Sequence, residues 1–571
     1  MELRARPLAW LTLLLAACAL VAPAGAVAAD AKLPASQSVA PKGYRLSADD
    51  AKRIAERAAK VRSARARGRR LQPTGYTKGP GRWQVSYFDG RREALQVQVD
   101  DRSRAILEEW SGFQVAWTMA RGYEGQFGRS LNAPWLWIPL CLLFLAPFVD
   151  PRRPFRLLHL DLLVLLAFGV SHFFFNRGEL GVSVPLVAPV LLYLLMRLTV
   201  AGFRGRERRA PLIPLASRKW LVIVLVFLVA LRIGLNVVDS EVIDVGYAGV
   251  IGADRIADGD PLYGPGFSAE VGRGDTYGPV NYLAYLPFEQ VMPWSGSWDG
   301  LPAAHGAAIA FDLLTLGGLL LLGRRMRPGQ EGRTLGLALG WAWATYPYAL
   351  FALQANSNDG LVSLFVVAAL LALTLGPRSS ALGRGVAVGV GAAAKFAPLV
   401  LAPLMAAGTG ERRWRDLVPY ALALAASIAV VTLLFLPDGG LRELYDRTLG
   451  YQAGRPSPFS PWGLEPALAP VQSIVKGVAV GLALLVFFVP RRRTLVQVAA
   501  LGAAVLVALE LAATHWFYLY VAWFAPLALV AFLGELRPPM AEPHSESGTQ
   551  TPSVVSRNRV NTLATPAGSS R

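Results

Sequence analysis

Three acidic residues, Asp239, Glu241 and Asp244, begin where an apolar stretch ends in the letters RIGLNVVD. A carboxylate at the boundary between membrane and water can act as a general base on a hydroxyl group and still reach a substrate carried by a lipid. For most acids in such a loop, a solvated side chain or a helix cap is an equally good interpretation. The residues alone leave these alternatives open.

The position of Lys395 is the hardest to explain by a purely structural role. It lies in the apolar sequence GVAVGVGAAAKFAPLVLAPL, with no acidic residue near it in the sequence. An uncompensated ammonium in such surroundings favours an anion, and a lipid phosphate is the natural candidate. The alternative is that the side chain extends to the headgroups. His515 precedes WFYLYVAW, whose aromatic residues are typical of an interfacial belt.

The elements that must position these residues are apolar helices. A hydrocarbon core of ~30 Å requires about 20 apolar residues in a helix. Candidate spans start near Pro134, Leu157, Val184, Trp220, Ala303, Leu335, Leu361, Gly383, Val418, Val471, Leu495 and Trp516. The stretch 383–407 is too long for one span, so we expect two short helices that meet near Lys395 at the outer surface. About thirteen membrane segments result.

Basic loops test this count. With an exported N-terminus, the Arg-rich loops around Arg152, Arg206, Arg324, Arg413 and Arg492 all fall on the cytoplasmic side, but only if 383–407 crosses twice. We therefore expect a multi-pass protein of the plasma (inner) membrane. Its N-terminal domain is expected outside and its Ser-, Thr- and Pro-rich tail, disordered, in the cytoplasm.

Composition supports a membrane protein and excludes other classes. The 571 residues contain 57 Lys and Arg against 39 Asp and Glu, a net charge of +18, yet 53% are apolar or aromatic and only 17% are charged. A nucleic-acid-binding or disordered protein of this charge would be far less apolar, so no nucleic acid partner is expected. Two cysteines exclude a scaffold of disulfides.

The N-terminus has the features of a secretory signal followed by a small exported domain. Residues 1–28 combine two arginines, an apolar stretch and an A-x-A cleavage site, although a lipoprotein box ending at Cys18 is the alternative. Ser47 is predicted to cap a helix, and the alternating residues after Trp83 predict a hairpin with its turn at Asp89-Gly90 and a third strand near Ile106. This helix and meander resemble the PepSY-type domain of exported bacterial proteins.

Five motifs follow one another between Trp220 and Leu533: DVGYAGVIGADRIADGDPLYG, DTYGPVNYLAYLPF, LQANSNDGLVSLFVVAALLAL, GVGAAAKFAPLVLAPLM and THWFYLYVAWFAPL. In this order they resemble the GT-C superfamily of integral-membrane glycosyltransferases, most closely glycosyltransferase family 87. The chain departs from the family at Gly278, where Tyr-Pro-Pro is usual, and at 357–359, where Gln is frequent. That family includes mannosyltransferases that depend on polyprenol-phosphate mannose.

The resemblance implies an inverting transfer of a hexose, with mannose as the expected sugar, from a polyprenyl-phosphate donor to an envelope glycan or glycolipid acceptor on the extracytoplasmic face. Asp244 matches the family's catalytic base, with Asp239 or Glu241 as alternatives. The leaving phosphate would be bound by Lys395, Arg455 and His515. The motifs also place four residues in the substrate pocket: Tyr247, Tyr277, Asn356 and Asp359. No cofactor and no structural metal are expected, and a divalent ion bridging Asp244 and phosphate is left open.

These predictions give an all-α polytopic membrane bundle preceded by a small α+β domain. The division is a signal peptide (1–28), an exported domain with its linker (29–130), three additional transmembrane helices (131–218), a GT-C-like core (219–536) and a tail (537–571). The alternatives to an enzyme are a lipid or polysaccharide transporter or flippase, and a non-catalytic envelope assembly protein. Transport would require Arg232, Asp161, Asp312 and Glu510 to line one cavity, whereas the enzyme requires Asp244, Lys395 and His515 to converge.

Overall fold

The computed structural model describes residues 31–90, 92–122, 128–204, 217–267, 273–296, 300–411 and 414–534. The predicted signal peptide, with Cys18, and the predicted tail lie outside these residues, so both stay predictions. Within them the protein is mostly helical and begins with one small sheet.

The N-terminal domain is an antiparallel meander packed on two short helices. Its strands follow the order β1 (Ala31–Lys32), β2 (Gln72–Lys78), β3 (Arg82–Asp89), β4 (Arg92–Asp100) and β5 (Ile106–Ser111). The helices α1 (Ala48–Ala55) and α2 (Ala59–Ala66) lie between β1 and β2. Alternate residues of β3 and β4, such as Trp83, Val85 and Val97, are buried against the helices and form the core of the domain.

Local sequence signals in this domain are confirmed. The Ser47 hydroxyl accepts the Asp50 backbone N–H, and the Asp50 carboxylate accepts the Ser47 N–H, which is a complete capping box. Gly90 adopts a φ of 61° in the hairpin turn. Strand β2 was not predicted because Pro73 and Gly75 are atypical of strands. Gly75 is required there, since a Cβ at this position would lie 2.8 Å from Ala48 Cβ.

The rest of the described chain is helical. The first helices are α3 (Phe113–Ala116), α4 (Arg129–Asn132), α5 (Pro134–Leu145), α6 (Leu157–Phe175), α7 (Leu180–Arg204) and α8 (Arg218–Val238). The next are α9 (Asp244–Asp258), α10 (Pro279–Glu289), α11 (Pro302–Met326), α12 (Gly329–Thr345), α13 (Pro347–Gln354), α14 (Asp359–Ala372) and α15 (Pro377–Ala394). The last are α16 (Ala402–Ala407), α17 (Trp414–Leu434), α18 (Gly440–Arg447), α19 (Leu449–Gly454), α20 (Pro461–Leu464), α21 (Ala469–Phe488), α22 (Leu495–Ala512) and α23 (Val521–Leu533). A two-stranded ladder pairs β6 (Gly410–Glu411) with β7 (Arg492–Arg493).

Seven helices of the described chain are long and apolar enough to cross a membrane: α6, α7, α8, α11, α17, α21 and α22. Shorter apolar helices lie at Pro134–Leu145, Asp359–Ala372, Ala397–Ala407 and Tyr518–Leu533. The protein therefore has the helices of a membrane bundle, while the count of about thirteen segments and their orientation stay predictions. Many side chains of α17 and α21 are exposed apolar residues, as expected for helices that face lipid.

The predicted interruption near Lys395 is present. Helix α15 ends at Ala394, Lys395 has an extended backbone with a φ of −145°, and a 3₁₀ helix begins at Ala397. This break lies beside the turn before α10, because the Gly278 N–H donates to the Ala394 carbonyl over 3.3 Å. Two of the predicted motifs thus meet in space.

Candidate functional site

The ends of several helices and loops enclose a cavity of about 340 Å³. Asp244, Tyr277 and Arg455 line it, and they come from three parts of the chain that sequence analysis had singled out separately. The remaining lining residues are Val245, Ala248, Arg273, Thr276 and Tyr451. A carboxylate, a guanidinium and phenol rings around one enclosed space can bind and activate a polar substrate.

Asp244 is the first residue of α9, and its carboxylate is exposed to the cavity. An acid in the first turn is favourable because the helix N-terminus carries partial positive charge. The surrounding protein shields the group from bulk water and raises the pKa of Asp244, and the charges of Arg455 and Lys395 oppose this rise. A carboxylate with a raised pKa is a stronger base than an ordinary Asp.

Helix α9 is held against its neighbours through a face of glycines. A Cβ at Gly246 would lie 2.2 Å from the Asn356 carbonyl oxygen, and one at Gly252 would lie 2.0 Å from the Tyr282 ring. At Gly249 it would lie 2.7 Å from the Tyr285 ring. The close packing fixes the helix, and with it the position of Asp244 at the cavity wall.

The loop before Asp244 is fixed by Asn356, which is buried and has a left-handed backbone with a φ of 48°. Its side-chain amide donates to Ser240 Oγ over 2.9 Å and to the Glu241 carbonyl over 3.0 Å. Its Oδ1 accepts from Asn236 Nδ2 over 2.8 Å. Asn356 was predicted as a pocket residue, but its side chain instead holds the loop that leads to Asp244.

The alternative bases are placed differently from Asp244. The Asp239 carboxylate accepts the backbone N–H groups of Ser130 (2.7 Å) and Arg129 (3.3 Å), so it caps the short helix α4. Glu241 is exposed and donates its backbone N–H to the Gln354 carbonyl. Partial shielding of its carboxylate from water and the nearby Asp239 raise the pKa of Glu241. Neither residue lines the cavity that contains Asp244.

Tyr247 was also predicted in the pocket, and the structure places it elsewhere. It lies one turn along α9, only 1% exposed, among apolar side chains of the core. By contrast, Tyr277 lines the cavity directly. Helix α9 faces the cavity with Asp244, Val245 and Ala248, and Tyr247 is not among the lining residues.

Lys395 does not carry the uncompensated charge that its sequence neighbours suggested. Its Nζ lies 2.6 Å from Asp359 Oδ1 and 2.9 Å from Asn358 Oδ1. The carboxylate of Asp359, at the start of α14 and 1% exposed, also accepts from Trp523 Nε1 over 2.7 Å. Asp359 is therefore an ion-pair partner rather than a cavity residue. The ammonium lies behind the cavity wall, 5.7 Å from the Tyr277 ring centroid.

His515 lies on the other side of the site and is not a cation. Desolvation, together with the charges of Arg455 and Lys395, holds the pKa of His515 well below its usual range, so the imidazole is neutral. Its Nδ1 lies 2.8 Å from Ser457 Oγ, and its ring stacks on Trp117. A neutral imidazole can orient a neighbour or a hydrogen bond, but it cannot offset a phosphate charge.

Arg455 is the cation that faces the cavity. It is half-buried and forms no ion pair or hydrogen bond with another residue in the described part of the chain. Arg273 also lines the cavity, with its Cζ 5.2 Å from the Tyr451 ring centroid. Sequence analysis missed Arg273, although it stands two residues before the motif that contains Tyr277.

A second, larger cavity of about 660 Å³ also includes Arg273 in its lining. Its other charged residues are Asp275, Arg442, Glu443, Asp446 and Arg447. Arg447 pairs with both Asp275 and Glu443 at 2.6 Å. The two cavities are therefore neighbours that share one arginine.

The departure at Gly278 has a local cause. A Cβ at this position would lie 2.0 Å from the Ala393 carbonyl oxygen. The turn before α10 thus packs directly on the helix break beside Lys395, and this chain accommodates only glycine there. With glycine at 278 instead of the first proline of the usual Tyr-Pro-Pro, Tyr277 still lies at the cavity.

The fold and the cavity define a helical membrane protein whose site is lined by ionisable side chains at helix ends and in loops. The model of Glycosyltransferase family 87 matches residues 276–531 of the chain. This match supports membership of the family, and the family implies a membrane glycosyltransferase that acts on sugar donors and acceptors. The matched region contains Tyr277, Lys395, Arg455 and His515 but begins after Asp244. No curated protein matches the chain.

Proposed function

We propose that this chain transfers a hexose from a polyprenyl-phosphate donor to an envelope glycan or glycolipid, with inversion at the anomeric carbon. Mannose is the first sugar to test. The observation that carries the proposal is the cavity in which Asp244 and Arg455 face the same space. The match to Glycosyltransferase family 87 supports sugar transfer as the chemistry. The donor, the sugar and the acceptor class come from the family resemblance.

In the proposed reaction Asp244 is the general base. Its carboxylate takes the proton of an acceptor hydroxyl as the oxygen attacks the anomeric carbon from the face opposite the phosphate. The bond between the anomeric carbon and the phosphate oxygen breaks, and the polyprenyl phosphate leaves with the electron pair. The raised pKa of Asp244 suits this role because it reduces the difference between the pKa of the base and the pKa of the acceptor hydroxyl.

The leaving phosphate gains negative charge and requires a cation. Arg455 is the proposed ligand, since a guanidinium can donate two parallel N–H bonds to a phosphate. Lys395 and His515 contribute less directly: the ammonium is paired with Asp359 and the imidazole is neutral. The larger cavity beside Arg273 offers room for the acceptor glycan.

We assign no cofactor to this reaction. Among the described residues, no group of three or more His, Cys, Asp or Glu side chains is placed to hold a metal ion. Asp244 is the acidic residue that would hold a divalent ion beside the donor phosphate, where the ion would offset phosphate charge, and transfer assays with and without a chelator test for it.

The proposed location is the plasma membrane, with the cavity and the N-terminal domain on the outer side. The distribution of arginines in the loops supports this orientation. A lipid-linked donor in the outer leaflet would then reach Asp244 without leaving the membrane. Attachment to the membrane raises its effective concentration at the site.

The transporter hypothesis receives no comparable support. Transport was expected to leave the buried ionisable groups along one cavity, but they have partners within the bundle. Arg232 pairs with Asp312, and Asp161 pairs with Arg197. Glu510 accepts a hydrogen bond from Trp516 Nε1 over 3.0 Å.

The test is incubation of membranes that contain the protein with radiolabelled polyprenyl-phosphate mannose, followed by identification of the labelled product. Asp244→Asn should reduce transfer by at least about a thousandfold, because the amide cannot accept the proton. The matched control is Asp258→Asn, at the exposed far end of the same helix, which should transfer like the wild type.

Two results would change the proposal. Transfer retained in Asp244→Asn at a normal expression level would move the base to Asp239 or Glu241. No transfer by the wild type with any polyprenyl-phosphate sugar would discard the enzyme and favour a non-catalytic assembly protein.

A further inference from the structure

Trp117 contacts both Arg455 and His515 at the edge of the candidate site. Its indole lies over the Arg455 guanidinium, with 4.8 Å between the ring centroid and Cζ. The same indole stacks on His515, with ring centroids 5.5 Å apart and an interplanar angle of 27°. Phe459 packs edge-on at 5.2 Å. Three contacts therefore fix the plane of the indole.

This arrangement matters for how Arg455 can bind a ligand. A guanidinium attracted to an aromatic face uses its own flat face for the contact and keeps its N–H edge free. Contact with the indole also restricts a side chain that otherwise has many rotamers. The result is an arginine whose direction is set before any anion arrives.

Trp117 is attached to the N-terminal domain. It follows α3 directly, and the backbone on both sides of it is fixed by Arg121. The Arg121 Nε donates to the Gln114 carbonyl over 2.7 Å, and its Nη2 donates to Gln96 Oε1 in β4 over 2.8 Å. The position of the indole thus depends on the sheet.

The chain beyond Trp117 is also fixed on the side of the helical bundle. Gly122 has a φ of 71°, and a Cβ there would lie 2.5 Å from the backbone carbon of Arg177, after α6. Farther on, the Ser130 N–H donates to Asp239, five residues before Asp244 in the sequence. The described residues on both sides of 123–127 are therefore held against the bundle.

We propose that Trp117 is a positioning residue, which holds the Arg455 guanidinium so that its N–H edge binds the phosphate of a polyprenyl-phosphate ligand. Through this residue the N-terminal domain forms part of the site. The inference rests on the proposed function for the identity of the anion, and it adds a role for a domain that the family match does not cover.

The experiment measures binding of farnesyl phosphate to the purified full-length protein in detergent by isothermal titration calorimetry. Farnesol, which lacks the phosphate, is the ligand control. Trp117→Ala should weaken farnesyl phosphate binding about tenfold and leave farnesol binding unchanged. Trp117→Phe keeps an aromatic face and should bind within about threefold of the wild type. Trp135→Ala, which removes a tryptophan that is 66% exposed on α5, should have no effect.

A double-mutant cycle separates positioning from a general loss of structure. If Trp117 acts through Arg455, then Trp117→Ala should cause no further loss of farnesyl phosphate binding in an Arg455→Ala background. A loss of the same size in both backgrounds overturns the inference. So does wild-type affinity in Trp117→Ala, or a wild-type protein that binds farnesyl phosphate no better than farnesol.

The outcomes distinguish this inference from the proposed function. A wild type that binds farnesyl phosphate in a Trp117-dependent way, yet transfers no sugar, supports the inference and discards the transferase. A wild type that transfers sugar, with Trp117→Ala unaffected in binding, supports the transferase and discards the inference. If Trp117→Ala does not fold, Trp117→Phe and Trp117→His replace it in the double-mutant cycle with Arg455→Ala. Because His keeps a smaller ring, this pair still decides between the inference and the proposed function.

Discussion

Charged residues are arranged in opposite ways in the helical bundle and at the cavity that contains Asp244. In the bundle, Arg232 donates to both carboxylate oxygens of Asp312 at 2.5 and 3.1 Å, and Trp343 donates to the same acid. At the cavity, Asp244 and Arg455 face one space, and no ion pair joins them. Buried charges that are fully paired satisfy each other and are costly to separate, whereas charges left open to a cavity are available to a ligand.

Lys395 shows why position alone does not separate the two groups. It lies next to the cavity, behind Tyr277, yet it is paired with Asp359 and so resembles the bundle pairs. Arg455 lies in a loop, where a solvated side chain would be expected, yet it lines the cavity and is the residue proposed to bind the donor phosphate. Pairing, rather than depth, therefore separates Lys395 from Arg455.

The largest effect is expected from breaking a bundle pair. Arg232→Met leaves the Asp312 carboxylate buried without its guanidinium, so the free energy of unfolding should fall by about 3–5 kcal/mol. Denaturation in detergent micelles measures this change. The double variant Arg232→Met with Asp312→Leu should regain most of the loss. A single variant as stable as the wild type would remove the distinction drawn here.

A smaller effect, on activity alone, is expected at the cavity. Arg455→Ala should lower kcat/KM for the polyprenyl-phosphate donor about 10- to 100-fold, because the leaving phosphate loses its cation. The free energy of unfolding should change by less than about 0.5 kcal/mol, since no structural pair is broken. Arg102→Ala, at an exposed arginine of the N-terminal domain, is the control. Equal losses of stability in Arg455→Ala and Arg232→Met would contradict the comparison.

The pH dependence of transfer tests the coupling between Asp244 and Arg455. Transfer requires the ionised base, so activity should fall as pH drops through the raised pKa of Asp244. Arg455 lowers that pKa, and its removal should move the acidic limb of the kcat profile to higher pH. Arg455→Lys, which keeps the charge, should shift the limb less. A limb that stays in place would mean that the titrating base is not Asp244.

The smallest effect is expected at Asp239, an acid near the cavity that already has partners. Asp239→Ala removes the acceptor for the Ser130 and Arg129 N–H groups and should cost about 1 kcal/mol of stability, as for a lost helix cap. Asp239→Asn retains an acceptor and should transfer sugar within about threefold of the wild type. Abolished transfer in Asp239→Asn would make Asp239 the base.

The sequence was sufficient for features that depend on neighbours along the chain. The cap at Ser47, the turn at Asp89-Gly90 and the helix break at Lys395 are all confirmed. The apolar stretches predicted the long helices, since length and hydrophobicity are local properties. Asp244, Tyr277 and Arg455, to which separate parts of the sequence pointed, line one cavity, and their roles in the reaction stay predictions.

Pairings between distant residues could not be predicted in the same way. Lys395 and Asp359 are separated by 36 positions, and only the fold brings them within 2.6 Å. The partners of Asn356 are likewise more than a hundred residues away in the sequence. Trp117 gave no signal, because a tryptophan after a small domain is ordinary until its contacts with Arg455 and His515 are known.

The shortness of α14 has a consequence for the lipid environment. Its 14 residues rise about 21 Å, which is about 9 Å less than a hydrocarbon core of ~30 Å. As one of the predicted membrane segments, α14 therefore reaches only part of the way across the hydrocarbon core. Because Asp359 and Lys395 lie at one end of this helix, we expect transfer to respond to acyl-chain length, with thin bilayers easing the approach of the donor phosphate.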